Sequence, residues 1–423
     1  MGEPLAWLEG LQPSTIRLGL DRVRSALSAL KNPETNYPAV HVAGTNGKGS
    51  TCAFAASCLR AQGYRVGLYT SPHLVRFNER VQINGEAILD PVLEDAIVKV
   101  REQVPTELDL TYFEFTTLVA LQHFADERVD VAVLEVGMGG RLDATNAARS
   151  VVTAITPVSF DHMDYLGHTL AAIASEKAGI IKPNVPVVVG RQEPEALEVI
   201  EKTAHARGAR LYELGKEFDL EPETVGKWGA RWTYRGMRTR VTGLQPGLRG
   251  PHQLQNAAMA MACLELLEDG GLQITRENVR SGLAGTRWPG RLEEVAGTPK
   301  VVLDGAHNPN GAETLVKALD AVYPGQKVYL VFGVLADKEW RPMLKTLLPR
   351  CESVYLTPVK SPRALDPSVY ADEVRKLARG PVHLCASAPE ALAAARKAAP
   401  DDAIVLGCGS LFLIGQLRAT LLG

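Results

Sequence analysis

The sequence predicts an α/β protein of two domains, each built on a mostly parallel sheet with helices on both faces. Three observations predict it. An apolar run at 39–43 leads into a glycine-rich turn and then a helical pattern from about Gly49 to Gln62, stopped by Gly63. Apolar strand-like runs and helical patterns then alternate along the chain. The alternation lapses at 285–299, where Gly285, Pro289, Gly290, Gly297 and Pro299 cluster, and restarts beyond. A chain of 423 residues is long enough for two or three domains with sizeable cores.

The elements follow in order. Helical spacing over 14–30 (Ile16, Leu20, Val23, Leu27, Leu30) precedes the first strand. A second strand at 65–69 ends in Thr70-Ser71-Pro72-His73. Asp90-Pro91 reads as an N-cap and first helical residue, opening a helix to about Val104. A helix at 113–125 and a strand at 129–136, apolar but for Asp130 and Glu135, come next. Further strands fall at 151–155, 186–189 and 210–214, with helices at about 169–179 and 193–207. Residues 228–241 suggest a small antiparallel excursion, and helices at 252–267 and 276–284 follow. Past the lapse, strands are expected at 300–304, 327–332, 353–357, 382–385 and 403–407, with helices between and after them. The expected division is therefore a domain at 1–286, a linker at 287–299 and a smaller Rossmann-like α/β domain at 300–423.

Lys and Arg total 46 against 48 Asp and Glu, a net charge of −2, so neither a nucleic-acid nor a membrane-surface partner is indicated. The six cysteines lack zinc-site spacing and sit mostly in apolar patterns, which suits small buried side chains in a reducing compartment. The first ten residues have no long apolar core, and no run could span a membrane. The expectation is a cytoplasmic protein.

The chemistry starts at the turn after the first strand: Gly44, Thr45, Asn46, Gly47, Lys48, Gly49 and Ser50. Glycines let backbone N–H groups approach phosphate oxygens, the helix N-terminus adds partial positive charge, and Lys48 adds a full one. This makes the first domain P-loop ATPase-type. It is not a standard Walker A, because Val42 and Gly49 stand where a glycine and a Ser or Thr belong. Gly49 has no hydroxyl for Mg²⁺, so the metal's ligands must come from elsewhere. The bland alternative is a plain βα turn with a solvated lysine.

Ligands bind at the carboxyl ends of strands in open parallel sheets. Ser71 follows one such end, Glu135 ends another, and the stretch from Ser159 to Gly167 with His162 follows a third. Glu135 and Ser71 suit a hard divalent ion, and His162 is a less usual third ligand. Singly, Glu135 could cap a turn and His162 could be an ordinary loop histidine. Their convergence on one sheet edge favours the metal.

Seven stretches now carry a resemblance: 41–50; Tyr69-Thr70-Ser71-Pro72-His73 with Arg76-Phe77-Asn78-Glu79-Arg80; Glu135-Val136-Gly137-Met138-Gly139-Gly140; 176–182; His252-Gln253-Leu254-Gln255-Asn256-Ala257; Trp288-Pro289-Gly290-Arg291; and Leu303-Asp304-Gly305-Ala306-His307-Asn308-Pro309. In this order they resemble the folylpolyglutamate synthase family, often bifunctional with dihydrofolate synthase, among the ATP-dependent amide ligases related to the Mur ligases. The resemblance runs from about Leu20 to Gly423.

It implies that 44–50 hold the ATP phosphates through Lys48, and that Ser71, Glu135 and His162 are Mg²⁺ ligands. It implies that Lys177 is carbamylated and helps hold a second Mg²⁺, and it allows K⁺ as well. Asn256, Arg291, Asp304 and His307 are implied ATP contacts, the last two from the second domain. Locally, Asp304 and His307-Asn308-Pro309 would also serve as ordinary strand-end and helix-start residues. Lys48, Lys177 and His162 are the expected catalytic groups. Pro72, Arg76, Tyr112 and Phe113 are expected at the folate, although the two rings would equally suit a helix core. The implied substrates are ATP, L-glutamate and dihydropteroate or reduced folates, turned over by a monomer through an acyl phosphate. Mur peptide ligases are the nearest rival, but only 43 residues precede Gly44, too few for their extra N-terminal domain. A P-loop phosphotransferase or a nucleotide binder without turnover are the others, and glutamate-dependent phosphate release separates them.

Overall fold

The computed structural model describes residues 2–11, 17–223, 231–295 and 297–422. The first domain runs α1 (Glu3–Gly10), α2 (Asp21–Ala29), β1 (Ala39–Ala43), α3 (Lys48–Ala61), β2 (Val66–Tyr69), β3 (Val81–Ile83), β4 (Glu86–Ala87), α4 (Asp90–Gln103), α5 (Tyr112–Asp126), β5 (Val131–Glu135), β6 (Ser150–Ile155), α6 (Met163–Leu166), α7 (Leu170–Ala178), β7 (Val187–Val189), α8 (Pro194–Ala206) and β8 (Leu211–Glu213). The strands β9 (Asp219–Pro222), β10 (Trp232–Arg235) and β11 (Arg240–Leu244) and the helices α9 (Pro251–Glu268) and α10 (Arg276–Gly285) complete it. The second domain holds β12 (Glu293–Val295), β13 (Lys300–Leu303), α11 (Pro309–Val322), β14 (Val328–Phe332), α12 (Trp340–Leu347), β15 (Cys351–Leu356), α13 (Ala371–Leu377), β16 (Val382–Leu384), α14 (Ala388–Ala398), β17 (Ile404–Cys408) and α15 (Leu411–Leu422).

The first sheet has the order β4-β3-β2-β5-β1-β6-β7-β8, parallel except for the antiparallel edge β3–β4. β1 lies between β5 and β6, which is why its fully buried run reads as continuous apolar sequence. The second sheet has the order β12-β13-β17-β14-β15-β16, parallel except for β12. The predicted class and nearly every predicted element are present.

Four details differ. The helix expected over 14–30 begins only at Asp21, because Gly19 sits at φ +142°; residues 14–16 lie outside the described residues. Asp90 is not the cap of α4. Leu89 holds that position, and the Asp90 carboxylate accepts from Arg76 and Asn78. The antiparallel excursion has three strands and starts earlier, at Asp219; residues 228–230 of the expected segment lie outside the described residues. Residues 293–295, within the expected linker, are the edge strand β12 of the second sheet.

Close helix contacts set the first domain around the turn at 44–50. A Cβ on Gly282 of α10 would come within 2.5 Å of the Cys58 Cα of α3, so these helices touch backbone to backbone. All six cysteines are free and buried, as expected. The two domains also meet away from the sheets. Leu74 packs into the apolar cluster of Val295, Leu413, Ile414 and Leu417. A Cβ on Gly415 would lie 2.0 Å from the Leu74 carbonyl oxygen. No helix among the described residues is long and apolar enough to cross a membrane.

Candidate active site

The carboxyl ends of β1, β5 and β6 face those of β13, β14 and β17 across one cavity of about 330 Å³. Its lining brings together residues 44–50, Ser71, Pro72, Glu135, His162, Lys177, Asn256, Arg291, Asp304 and His307. Arg76, Tyr112 and Phe113 are outside that lining.

The turn at 44–50 is shaped by close approaches. Gly44 has φ +141°, and a Cβ there would lie 1.8 Å from Thr156 Oγ1. Gly47, at φ +91°, precedes the first residue of α3 and faces Asn256 Oδ1. A Cβ on Gly49 would sit 2.9 Å from the Trp288 indole nitrogen. A residue with a side chain at 49, as in a standard Walker A, would have to displace that indole. Lys48 Nζ folds back on the carbonyls of Gly44 (3.2 Å) and Thr45 (3.1 Å). The Ser50 hydroxyl is buried without a hydrogen-bond partner among the described residues.

Glu135 is buried at the tip of β5, and its Oε2 accepts the Ser71 N–H at 3.2 Å. Burial raises its carboxyl above the ordinary range, against Lys48 and the Ser71 hydrogen bond. A cation beside it would relieve that desolvation. Burial lowers His162 to about 4, so the imidazole is neutral with a lone pair free for a ligand. Among the described residues no three His, Cys, Asp or Glu side chains gather around one point. Ser71, Glu135 and His162 line one cavity, and one carboxylate, one hydroxyl and one imidazole would supply only a partial shell. That fits Mg²⁺, which keeps water and substrate phosphate oxygens in its coordination sphere.

Lys177 is buried on α7 and donates to the Gly44 carbonyl at 2.8 Å. Burial, and then the charge of Lys48, lowers its amine to about 7. In the second domain, Asp304 accepts the N–H groups of Leu292 and Ala306, both at 2.9 Å. Asn308 caps α11 by accepting the Gly311 N–H at 2.7 Å, and Pro309 is the first helical residue. The local roles anticipated for Asp304 and for the start of α11 are thus real, and Asp304 and His307 line the cavity as well.

Comparison with known proteins settles what kind of chain builds this site. The Mur ligase middle domain matches residues 42–264, and the Mur ligase glutamate ligase domain matches 290–411. The folylpolyglutamate synthase of Lacticaseibacillus casei is 40% identical over 410 residues, 95% of this chain and 94% of that one. The chain belongs to the folylpolyglutamate synthase family of Mur ligases.

Solved members of the synthase family superpose closely. The Mycobacterium tuberculosis folylpolyglutamate synthase complexed with ADP and AMPPCP gives a TM-score of 0.91 at 34% identity, covering 99% of this chain and 98% of that one. A bifunctional folylpolyglutamate synthase/dihydrofolate synthase from Yersinia pestis, complexed with AMPPNP and a Mn ion, gives 0.87 at 35% identity, covering 99% and 97%.

In this synthase-family chain Pro72, of the expected folate residues, lines the cavity, and Arg76, Tyr112 and Phe113 do not. Arg76 is spent on Asp90, with two contacts of 2.7 Å. Phe113 covers Gly137, where a Cβ would lie 2.3 Å from its ring. Tyr112 meets Phe77 edge-on at 6.2 Å. Sequence reasoning missed the residues that join the domains. Asp161 takes Lys338 Nζ at 2.7 Å and Asn308 Nδ2 at 3.1 Å, with His307 Nε2 at 3.5 Å. Burial alone would raise the Asp161 carboxyl, but the hydrogen bond and charge of His307 and the charge of Lys338 hold it well below its ordinary range. Asn46 bonds to Asn308 and Asn310 at 3.2 and 2.9 Å. Lys338 and the cavity residues Ser410 and Phe412 follow β14 and β17, so the strand-end rule could have flagged them.

Proposed function

We propose that this chain joins L-glutamate to the carboxylate of a folate or of dihydropteroate, converting ATP to ADP and phosphate. The observation that carries the reading is the single interdomain cavity holding the phosphate loop, Glu135, Lys177 and the second-domain residues together. The substrate carboxylate attacks the γ-phosphorus, ADP leaves, and an acyl phosphate results. The glutamate amine attacks the acyl carbon, the tetrahedral intermediate collapses, and phosphate leaves with the C–N bond formed.

Carboxylate and ATP are both anions, so positive charge must bring them together. Lys48 and the α3 N-terminus take the phosphates. Arg291 sits against Gly305, where a Cβ would lie 2.2 Å from its Nη1, and reaches the same cavity. Asn256, Asp304 and His307 hold the rest of the nucleotide. Bound Mg²⁺ would neutralise phosphate charge and polarise the transferred phosphoryl group, held by Ser71, Glu135 and His162. A lysine amine near 7 is neutral enough to take up CO₂ with loss of a proton. The low value for Lys177 therefore supports its carbamylation, and the resulting anion would help hold a second Mg²⁺. K⁺ is a further candidate. Residues 1–286 carry ATP and folate, 300–423 deliver glutamate, and the part of 287–299 before β12 is the hinge. The Asp161–Lys338 contact then belongs to the closed state, which excludes water from the acyl phosphate. The working unit is a monomer in the cytoplasm.

The test is phosphate release from Mg²⁺–ATP with and without L-glutamate, using dihydropteroate and then tetrahydrofolate. Release that requires glutamate and a pterin acid establishes the ligase and shows which activities are present. Release indifferent to glutamate supports a phosphotransferase instead.

A further inference from the structure

One side chain of the glycine-rich turn after β1 is directed to the second domain. Asn46 lines the cavity, yet its amide crosses to the start of α11. Its Nδ2 donates to Asn308 Oδ1 at 3.2 Å and to Asn310 Oδ1 at 2.9 Å, and its Oδ1 accepts from Asn308 Nδ2 at 3.2 Å. Asn308 is 3% exposed and, like Asn310, lies outside the cavity lining. Its Oδ1 also accepts the Gly311 N–H at 2.7 Å, and its Nδ2 also donates to Asp161 Oδ2 at 3.1 Å.

A side-chain amide has two N–H protons and one acceptor oxygen. In Asn46 and Asn308 both protons are used and the oxygen is occupied. The orientations are dictated as well. The Gly311 N–H needs an oxygen, which fixes Asn308 Oδ1, and the Asp161 carboxylate needs a donor, which fixes Asn308 Nδ2. Asn46 must then turn its oxygen to Asn308 Nδ2 and its nitrogen to Asn308 Oδ1. Ser or Asp at 308 would cap α11 about as well as Asn. Ser is too short to reach the other partners, and Asp has no N–H for Asp161 or Asn46. The cap alone therefore does not account for an asparagine here.

We propose that Asn308 is a positioning residue that docks the second domain on the turn through Asn46, so that nucleotide on the turn and docking of the second domain strengthen each other. This rests on the ligase reading above, in which residues 44–50 hold the ATP phosphates. Backbone N–H groups closing on phosphate oxygens fix the turn, and with it the place of the Asn46 amide. An amide in register completes the pair with Asn308. A displaced one leaves buried donors and acceptors short of partners. Such coupling is reciprocal: docking tightens the nucleotide by the factor by which nucleotide favours docking. The Asp161–Lys338 pair also joins the domains but includes no residue of the turn.

The test uses substitutions that keep the helix cap. AMPPNP with Mg²⁺ is titrated by calorimetry into the full chain as wild type, Asn308→Ser, Asn308→Asp and Asn310→Ala, and the radius of gyration is measured with and without it. Asn308→Ser should bind the analogue about 10-fold more weakly, the size of two neutral hydrogen bonds, and lose the compaction that the analogue induces in the wild type. Asn308→Asp sets a second carboxylate against Asp161 and should bind more weakly still. Asn310→Ala removes one bond from an exposed position, where the fold is not at risk, and should weaken binding by about 3-fold. A residue that only caps α11 would leave the Ser and Asp variants equal to the wild type, and that result overturns the proposal. So does a wild type whose dimensions ignore the analogue. Combined with Asn46→Ala, Asn308→Ser should cost less than the sum of the two single losses, and losses that simply add mean that the two residues act independently and overturn it too. None of these readouts needs turnover. A wild type that compacts on the analogue without glutamate-dependent phosphate release would sink the ligase reading and leave this one standing.

Discussion

Lys48 and Lys177 both donate to the Gly44 carbonyl, at 3.2 and 2.8 Å. Lys48 lines the cavity and is the group proposed above for the phosphate charge. Replacing it with alanine should lower kcat by about 10²-fold, the size of losing one preorganised charge contact, read as glutamate-dependent phosphate release. Near-normal turnover would contradict its role. Lys177 titrates near 7 in the folded chain against an ordinary 10.5. Between those values the unfolded chain binds a proton that the folded chain does not, so stability rises with pH across that window. In CO₂-free buffer, the thermal midpoint of the wild type should gain on that of Lys177→Met between pH 7 and pH 9. Parallel curves would show that the amine is not held at a depressed value.

The turn from β1 into α3 departs from the standard pattern at Gly49, where a residue outside the element stands close. Trp288, well over two hundred positions away, fills the space a side chain at 49 would need. Gly49→Thr restores the Walker hydroxyl, but the indole must then move. The expected result is weaker ATP binding, recovered in part by adding Trp288→Ala, which opens the space. If Gly49→Thr alone binds ATP as well as the wild type, steric exclusion by Trp288 is not what keeps glycine there.

At the scale of the molecule, Asp161 and Lys338 form a buried ion pair between domains, with side chains 10% and 8% exposed. Removing one partner of such a pair costs about 3 kcal/mol or more, because the other charge stays buried. Lys338→Met should therefore favour the open arrangement. Small-angle scattering with a non-hydrolysable ATP analogue and a folate should show a larger radius of gyration than the wild type, with a fall in kcat. An unchanged profile would remove this pair from domain closure.

Local sequence was enough for the parallel sheets and for the glycine-rich turn between β1 and α3, and it picked out Ser71, Glu135 and His162, which line the same cavity. These depend on short-range patterning: buried strands are continuously apolar, glycine is needed where φ is positive, and chemistry gathers at strand ends. The start of α2 was misjudged because apolar periodicity ran through Gly19, and β12 was hidden by flanking glycine and proline that mark its short edge strand. What sequence could not supply was pairing at a distance. Asp161 and Lys338 are each unremarkable in their own loops. The sequence by itself determined the family, the fold class and the glycine-rich turn between β1 and α3. The tertiary structure decided which charges are paired, which are buried alone and which amine is depressed, because those depend on desolvation and on partners brought together only by the folded chain.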